Sequence, residues 1–361
     1  MRICYVINSL DGGGGALPLP HVLGVMRDAG HDPFVVALME RDGRARPALD
    51  QAGFEHVVIG GATRRWATPA CRLDRIIRAR RPDILWTSLT HATLTGQALG
   101  ALRGLPVVSW LHNAWLKPAN RMLLRRSHPL TRHWVADSDT VARFGETALG
   151  IAADRIGIWP LFRVDPSAPS ARIWESGPFR IGSLGRLHRN KGYDVLVRAL
   201  ALLAGRAPAL AETISVHLGG EGPERASLEA QAHALGVRNL HFDGFQPDPR
   251  VFLSTLHAYV QPSHHEGLCI AAHEAMQAGL PVVAAPVGEM HRSVLRSQGG
   301  LIAPYGDVAA LADAMTVLVQ DTAHAGALGA AGRVWVTREY SADAFRARGL
   351  TALSAAGLGA R

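Results

Sequence analysis

Short apolar segments of strand character alternate with helix-period segments along nearly the whole chain, and this alternation constrains the fold more than any other feature. Parallel strands cannot be joined by a tight turn and need a crossover, so the repetition predicts a parallel, doubly wound sheet flanked by helices. Met1–Ile7 opens as a strand, followed by strands at Phe34–Leu38, Glu55–Ile59, Ile84–Ser88, Val107–Leu111 and His133–Ala136. Helices are expected near Arg46–Gln51, Pro69–Arg80, Leu94–Leu102 and Ala119–Arg126. A Pro- and Ser-rich stretch from Pro160 to Pro178 interrupts the pattern before it resumes. The expectation is two α/β domains, 1–165 and 170–340, and 361 residues are enough for a core in each.

In the second half, Pro262 to Gly288 carries two carboxylates, Glu266 and Glu274, around a Gly-led apolar segment. Tyr259-Val260 closes a strand, Pro262-Ser263 breaks it, and Gly267 precedes a helical run through Met276 that stops at Gly279. Gly267, Leu268 and Cys269 are thus expected at a helix N-terminus. Free N–H groups and the helix dipole favour an anion there, and a glycine admits a phosphate close to the backbone. Two carboxylates at this spacing suit a neutral, hydroxyl-rich ligand such as a sugar joined to a ribose. The plainer alternative is that Glu266 caps the helix and Glu274 is a solvated helix residue.

Upstream, Ile181–Leu184 reads as a buried strand and the segment from Tyr193 to Leu200 as a helix. Gly185-Arg186-Leu187-His188-Arg189-Asn190-Lys191-Gly192 lies between them, which places Arg186 and Lys191 on a strand-to-helix loop, where α/β sheets bind ligands. Such a pair of cations could clamp a diphosphate, Arg186 by bidentate contact and Lys191 as a point charge. Gly219-Gly220-Glu221-Gly222 again follows a strand, Ile214–Leu218, and precedes a helix. At the start of the chain, Gly12 to Gly15 follow the first strand, but a dinucleotide fingerprint begun at Gly13 would need a glycine where Pro18 stands.

Four segments together, GRLHRNKG (Gly185 to Gly192), GGEGPE (Gly219 to Glu224), LHFDGF (Leu240 to Phe245) and the double-glutamate stretch, resemble the nucleotide-sugar domain of the retaining GT4-type (glycosyl transferases group 1) glycosyltransferases. The resemblance implies a GT-B fold: two doubly wound Rossmann-like domains with a cleft between them, and a tail of about 340–361 that packs back on the first domain. It implies that Arg186 and Lys191 bind the donor diphosphate and that Gly267, Leu268 and Cys269 offer backbone donors. Glu266 would contact the donor sugar and Glu274 the ribose. Gly219, Gly220, Gly244 and Phe245 would border the base, and Gly14 and Gly15 belong to a loop facing the donor. In VVSWLHN, His112 resembles the histidine that approaches the reacting sugar, with Asn113 where an acidic residue often stands. Domain closure would bring His112 toward Glu266.

The implied reaction moves a hexose-type sugar from a nucleoside-diphosphate sugar to a hydroxyl acceptor with retention, by same-face attack within an ion pair, so Glu266 is not assigned as a nucleophile. Metal independence is implied as well, and no cofactor is expected. Asp137-Ser138-Asp139 matches the letters of a metal motif but is read as a helix cap. Other GT-B enzymes, such as a sugar-nucleotide epimerase, and a non-catalytic partner protein of the same fold are the alternatives.

Cys4, Cys71 and Cys269 form no disulfide or zinc pattern, which argues for a reducing compartment. A strand at the start and the absence of a long apolar run predict a cytoplasmic protein without signal peptide or membrane span. The formal charge is +8, with arginines clustered at Arg72, Arg75, Arg78, Arg80, Arg81 and at Arg121, Arg125, Arg126, Arg132. On helices that also carry apolar residues, such clusters fit peripheral contact with an anionic membrane at its inner face. The acceptor would then be a lipid-linked saccharide, as in polysaccharide or lipopolysaccharide assembly. Nucleic acid is the competing partner for a basic chain, but no recognised binding motif supports it.

Overall fold

The computed structural model describes residues 1–61 and 67–359. The chain divides into two compact units, Met1–Phe162 with Ala342–Arg361, and Arg163–Ser341. In the first, seven strands run β1 (Arg2–Ile7), β2 (Asp32–Ala37), β3 (His56–Val58), β4 (Ile84–Ser88), β5 (Val107–Leu111), β6 (His133–Ala136) and β7 (Ile156–Ile158). They form one parallel sheet in the order β3-β2-β1-β4-β5-β6-β7. Alternation along β1 sends Ile3, Tyr5 and Ile7 to one face and Cys4 and Val6 to the other, each into its own apolar cluster. Both faces are covered, so these strands are apolar throughout rather than half polar.

The second unit repeats the plan with β8 (Phe179–Leu184), β9 (Ile214–Gly219), β10 (Leu240–Gly244), β11 (Ala258–Gln261), β12 (Val282–Ala284) and β13 (Gly300–Ile302). Their order is β10-β9-β8-β11-β12-β13, again parallel. In each sheet the chain winds outward one way and then returns to the middle. The strand order therefore reverses between β1 and β4 and between β8 and β11, the places where open α/β sheets leave a crevice at the strand ends.

The last helix, Ala342–Ala355, belongs to the first unit. Phe345 packs on Trp159 at 5.4 Å, and the Leu358 carbonyl accepts a hydrogen bond from His31 Nε2 at 3.1 Å. Three strands, β4, β5 and β6, and the helix Arg46–Gln51 have the bounds their sequence predicts. The helix after Gly267 begins later than expected, at Ile270, and runs to Ala278. The helix after Gly12–Gly15 starts at Leu19 despite Pro18 and Pro20, since Pro18 is its cap residue and Pro20 lies in its first turn, where no backbone N–H is needed. None of these four glycines has a positive φ, so the backbone of that loop does not itself require glycine.

Candidate functional site

At the β8/β11 reversal, the loops that follow β8, β9 and β11 are tied to one another by their main chains. Gly185 N–H donates to Gly219 O at 2.9 Å, Leu187 N–H to Glu221 O at 2.9 Å, and His264 N–H to Asn190 O at 2.8 Å. Two glycines make the approach feasible. Gly220 has φ +135° and Gly192 φ +67°, and a Cβ at either would stand 2.0 Å from a neighbouring carbonyl oxygen, of Gly185 and Pro262 respectively. Gly244 also has a positive φ, and Phe245 beside it is exposed.

This close packing brings Lys191 and Glu266 together. Lys191 closes a one-turn helix, Arg189–Lys191, and its Nζ donates to Glu266 Oε1 at 2.8 Å. Ser263 Oγ donates to the same oxygen at 2.6 Å and Gln261 Nε2 at 3.2 Å. Gln261 is fixed in turn by the buried Tyr259, whose hydroxyl donates to Gln261 Oε1 at 2.8 Å. Both ionic side chains are largely shielded, 23% exposed for Lys191 and 10% for Glu266. Burial works to lower the Lys191 pKa, but Glu266, helped by the surroundings of Cys269 and Tyr193, holds it above the ordinary lysine value. Lys191 is therefore a charged but partnered ammonium. Arg186 differs: it is exposed, and no carboxylate among the described residues pairs with it. The two cations expected to act alike stand in different electrostatic situations.

Glu266 is not a helix cap, because no side chain caps the helix Ile270–Ala278. Gly267 and Leu268 are buried ahead of it, and Cys269, its first flanking residue, takes a left-handed φ of +63°. For a non-glycine residue that conformation costs on the order of 1 kcal/mol. His273 helps to hold it, donating through Nδ1 to the Cys269 carbonyl at 3.0 Å while Nε2 accepts from Ser293 Oγ at 2.9 Å. Full burial lowers the pKa of His273 to about 4, so this strut stays neutral. Burial also pushes the Cys269 thiol upward, which makes it a poor thiolate. Glu274 sits one turn further on and is not the solvated residue of the plainer alternative. Desolvation raises its pKa to about 7, opposed by Arg250 and reinforced by Asp248.

The first unit holds a different cluster. His112 follows β5 and is gripped at both ring nitrogens: Nδ1 lies 2.9 Å from Asp137 Oδ2, and Nε2 lies 2.6 Å from Ser88 Oγ. Trp110 donates its indole N–H to Asp137 Oδ1 at 2.7 Å and stacks on the imidazole at 5.7 Å. The Asp137 carboxylate can only accept, so Nδ1 carries a proton and donates to it. Ser88 ends β4 and Asp137 follows β6, so three adjacent strands build the cluster. Within Asp137-Ser138-Asp139 only Ser138 caps the next helix, accepting from Val141 N–H at 3.2 Å, and Asp137 is the carboxylate of His112. Gly14 and Gly15 lie after β1, and a Cβ on Gly15 would meet Leu89, the residue after Ser88, at 3.8 Å.

Sequence reasoning named His112, Lys191 and Glu266 but not the side chains the structure packs against them, Asp137, Ser88, Ser263 and Gln261. A signal existed for Ser263 and Gln261, which flank Pro262 just before Glu266. None existed for Ser88 and Asp137, whose proximity depends on strand order. Among the described residues no group of three or more His, Cys, Asp or Glu could hold a metal ion.

Comparison with known proteins bears on both units. Residues 169–335 match the family model of glycosyl transferases group 1, and residues 21–163 that of glycosyltransferase family 4. The chain is 32% identical, over 313 residues and 77% of each chain, to the GDP-mannose-dependent alpha-(1-6)-phosphatidylinositol monomannoside mannosyltransferase of Mycobacterium tuberculosis. The chain belongs to the GT4-type glycosyltransferases. A second GT4 relative, 2-deoxystreptamine glucosyltransferase of Streptomyces kanamyceticus, is 35% identical over 46% of this chain, which spans 42% of that protein's length. Among solved structures, Anabaena HepE in complex with UDP-glucose matches 98% of this GT4 chain and 99% of its own, with a TM-score of 0.83 at 21% identity. The fold is GT-B, built of two Rossmann-like units.

Proposed function

We propose that this protein is a retaining hexosyltransferase that takes a nucleoside-diphosphate sugar as donor and a lipid-linked saccharide as acceptor. The observation that carries the reading is Glu266 held by Lys191, Ser263 and Gln261 at the β8/β11 reversal, directly before a helix N-terminus. An anionic diphosphate and a polyhydroxyl sugar need those two kinds of partner side by side. The backbone N–H groups of Gly267 to Cys269 and the unpaired Arg186 receive the diphosphate. Glu266 accepts hydroxyls of the sugar, and Glu274 accepts those of the ribose. The glycine turn at Gly219-Gly220, with Gly244 and Phe245, borders the base.

In the reaction, the bond from the anomeric carbon to the phosphate oxygen breaks and the acceptor oxygen bonds to that carbon on the same face. The acceptor proton passes to the departing phosphate. Stabilising the charge on the leaving group is the main task, and preorganised donors in a shielded site serve it well. Lys191 contributes there while also preventing Glu266 from acting as a nucleophile, because a carboxylate bound by three donors is poorly nucleophilic. His112 is assigned to the reacting sugar. The chemistry proposed requires no metal and no cofactor.

Two similar proteins motivate the ligand classes: HepE is crystallised with UDP-glucose, and the mycobacterial relative is a GDP-mannose-dependent phosphatidylinositol monomannoside mannosyltransferase. A protein working at the inner face of the cytoplasmic membrane, in cell-surface polysaccharide or lipopolysaccharide assembly, fits a lipid-linked acceptor. No helix among the described residues is long and apolar enough to cross a membrane, so contact would be peripheral.

Calorimetric titration with UDP, GDP and ADP tests the donor. One nucleotide is expected to bind selectively, and Lys191→Ala to weaken it by at least about tenfold through the lost charge. Absence of binding by all three nucleotides would overturn the reading.

A further inference from the structure

The two arginine clusters that look alike in sequence differ in the fold. In the helix Ala67–Arg80, Arg78 Nε pairs with Asp74 Oδ2 at 3.2 Å, and Arg103 takes the same carboxylate with two bonds of 2.7 and 2.8 Å. Arg80 pairs with Glu55, and Arg72 donates to the Ile59 carbonyl at 2.6 Å. The apolar residues of that helix, Leu73 and Ile77, are buried. Its cations largely serve the protein's own structure.

The helix Pro118–Ser127 reverses each of these features. Its only buried residue is Leu124. Met122 and Leu123 are 48% and 43% exposed, and Leu130 just beyond is 50% exposed. Arg121, Arg125 and Arg126 are exposed too, and no carboxylate among the described residues pairs with them. The helix contains no acidic residue. The outward surface of this segment interleaves exposed apolar side chains with guanidinium groups that no described carboxylate pairs. It is suited to a surface that is negatively charged outside and apolar beneath.

We propose that the helix Pro118–Ser127 docks the protein on an anionic lipid surface, its arginines on the headgroups and Met122, Leu123 and Leu130 in the upper acyl region. The charge pattern selects this occupant, because a second copy of the chain would oppose like-charged arginines across a two-fold contact. The helix begins six residues after His112 on the same chain segment, so a bound membrane would lie near the residue assigned to the sugar. This deepens the lipid-linked acceptor reading and rests on it for its purpose, though not for its geometry.

The test is flotation of the full chain with vesicles of phosphatidylcholine alone and of phosphatidylcholine with an equal amount of phosphatidylglycerol. Binding is expected only to the anionic vesicles, and Arg121→Glu/Arg125→Glu should weaken it by at least about tenfold. Arg75→Glu/Arg78→Glu, with the same change in net charge, should weaken it far less. Met122→Ser/Leu123→Ser should lower the fraction that survives high salt, since only the apolar contact resists screening.

Equal loss from both arginine pairs would show attraction by net charge alone and overturn the proposal. So would an absence of preference for anionic vesicles, or a dimer in light scattering that Met122→Ser/Leu123→Ser abolishes. The same preparations are titrated with the nucleotide diphosphates. Nucleotide binding without vesicle binding sinks the docking surface alone, whereas vesicle binding without nucleotide binding sinks the transferase reading and keeps the surface. Unchanged nucleotide affinity in each variant shows that it has folded.

Discussion

The two units use the same parallel-sheet plan to hold polar groups in opposite ways. In the second, Glu266 and Lys191 form a shielded ion pair supported by Ser263 and Gln261, and three of these four residues lie within one strand-end loop or its edge. In the first, His112 is held by Ser88 and Asp137, each from a different strand, and no lysine or arginine among the described residues takes part. The second arrangement shields two opposite charges that offset each other. The first fixes the orientation of one imidazole. A strand end followed by a short loop and a helix can serve either purpose, because the side chains after the strand decide the chemistry and the sheet only fixes their positions.

The largest expected effect breaks the charged half. Glu266→Gln keeps the shape but leaves Lys191 without its carboxylate, and turnover of the donor should fall by about 10³-fold if Glu266 directs the transferred sugar. Single-turnover kinetics would check this, and a mutant that retains near-normal turnover would remove Glu266 from the mechanism. In the first unit, Asp137→Asn alters the partner of His112 Nδ1 without changing size. The expected loss is about 10²-fold in kcat with little change in KM, the scale of misplacing a reacting group by roughly 1 Å. If KM alone rises, His112 serves binding rather than the reacting sugar.

A third change asks whether the charged half depends on backbone approach. Gly192→Ala would force a Cβ to within 2.0 Å of the Pro262 carbonyl at a φ of +67°. The two loops should separate at a cost of roughly 3 kcal/mol, read as a lowered denaturation midpoint. Ser88→Ala, the smallest perturbation of the His112 cluster, should cost about 1 kcal/mol by the same measurement, since one buried hydrogen bond is lost.

The subtlest prediction concerns pH. Glu274 has its folded pKa raised to about 7, above that of an unfolded glutamate. It therefore takes up a proton on folding, and its contribution to stability is present below the ordinary carboxylate range and lost as pH rises through about 7. Glu274→Gln should raise the thermal midpoint above pH 7 and leave it unchanged in acid. Nucleotide affinity of the wild type should rise severalfold across the same titration if the ionised carboxylate accepts the ribose hydroxyls. A flat profile would detach Glu274 from the nucleotide.

Much of the fold was legible because its signals are local. The apolar runs Ile84–Ser88, Val107–Leu111 and His133–Ala136 are bounded by breakers and become strands of those bounds. The helix opens at Ile270 because the chain spends Gly267 to Cys269 turning, Cys269 in a left-handed conformation, and no local signal marks the length of that turn. For the site, Lys191 and Glu266 could be named from their loops, whereas their mutual neutralisation could not.

The sequence by itself determined the two doubly wound sheets, the loops at their strand ends and the residue types those loops present. Periodicity, glycine and proline act within a few positions, so they specify these features before any long-range contact forms. Only the tertiary structure decided that Asp137 and Ser88 clasp His112, that Lys191 pairs with Glu266, and that the arginines of one helix are largely paired while those of the other meet no carboxylate among the described residues. Each of those depends on which strands become neighbours, and strand order is set by packing the whole core rather than by any one segment.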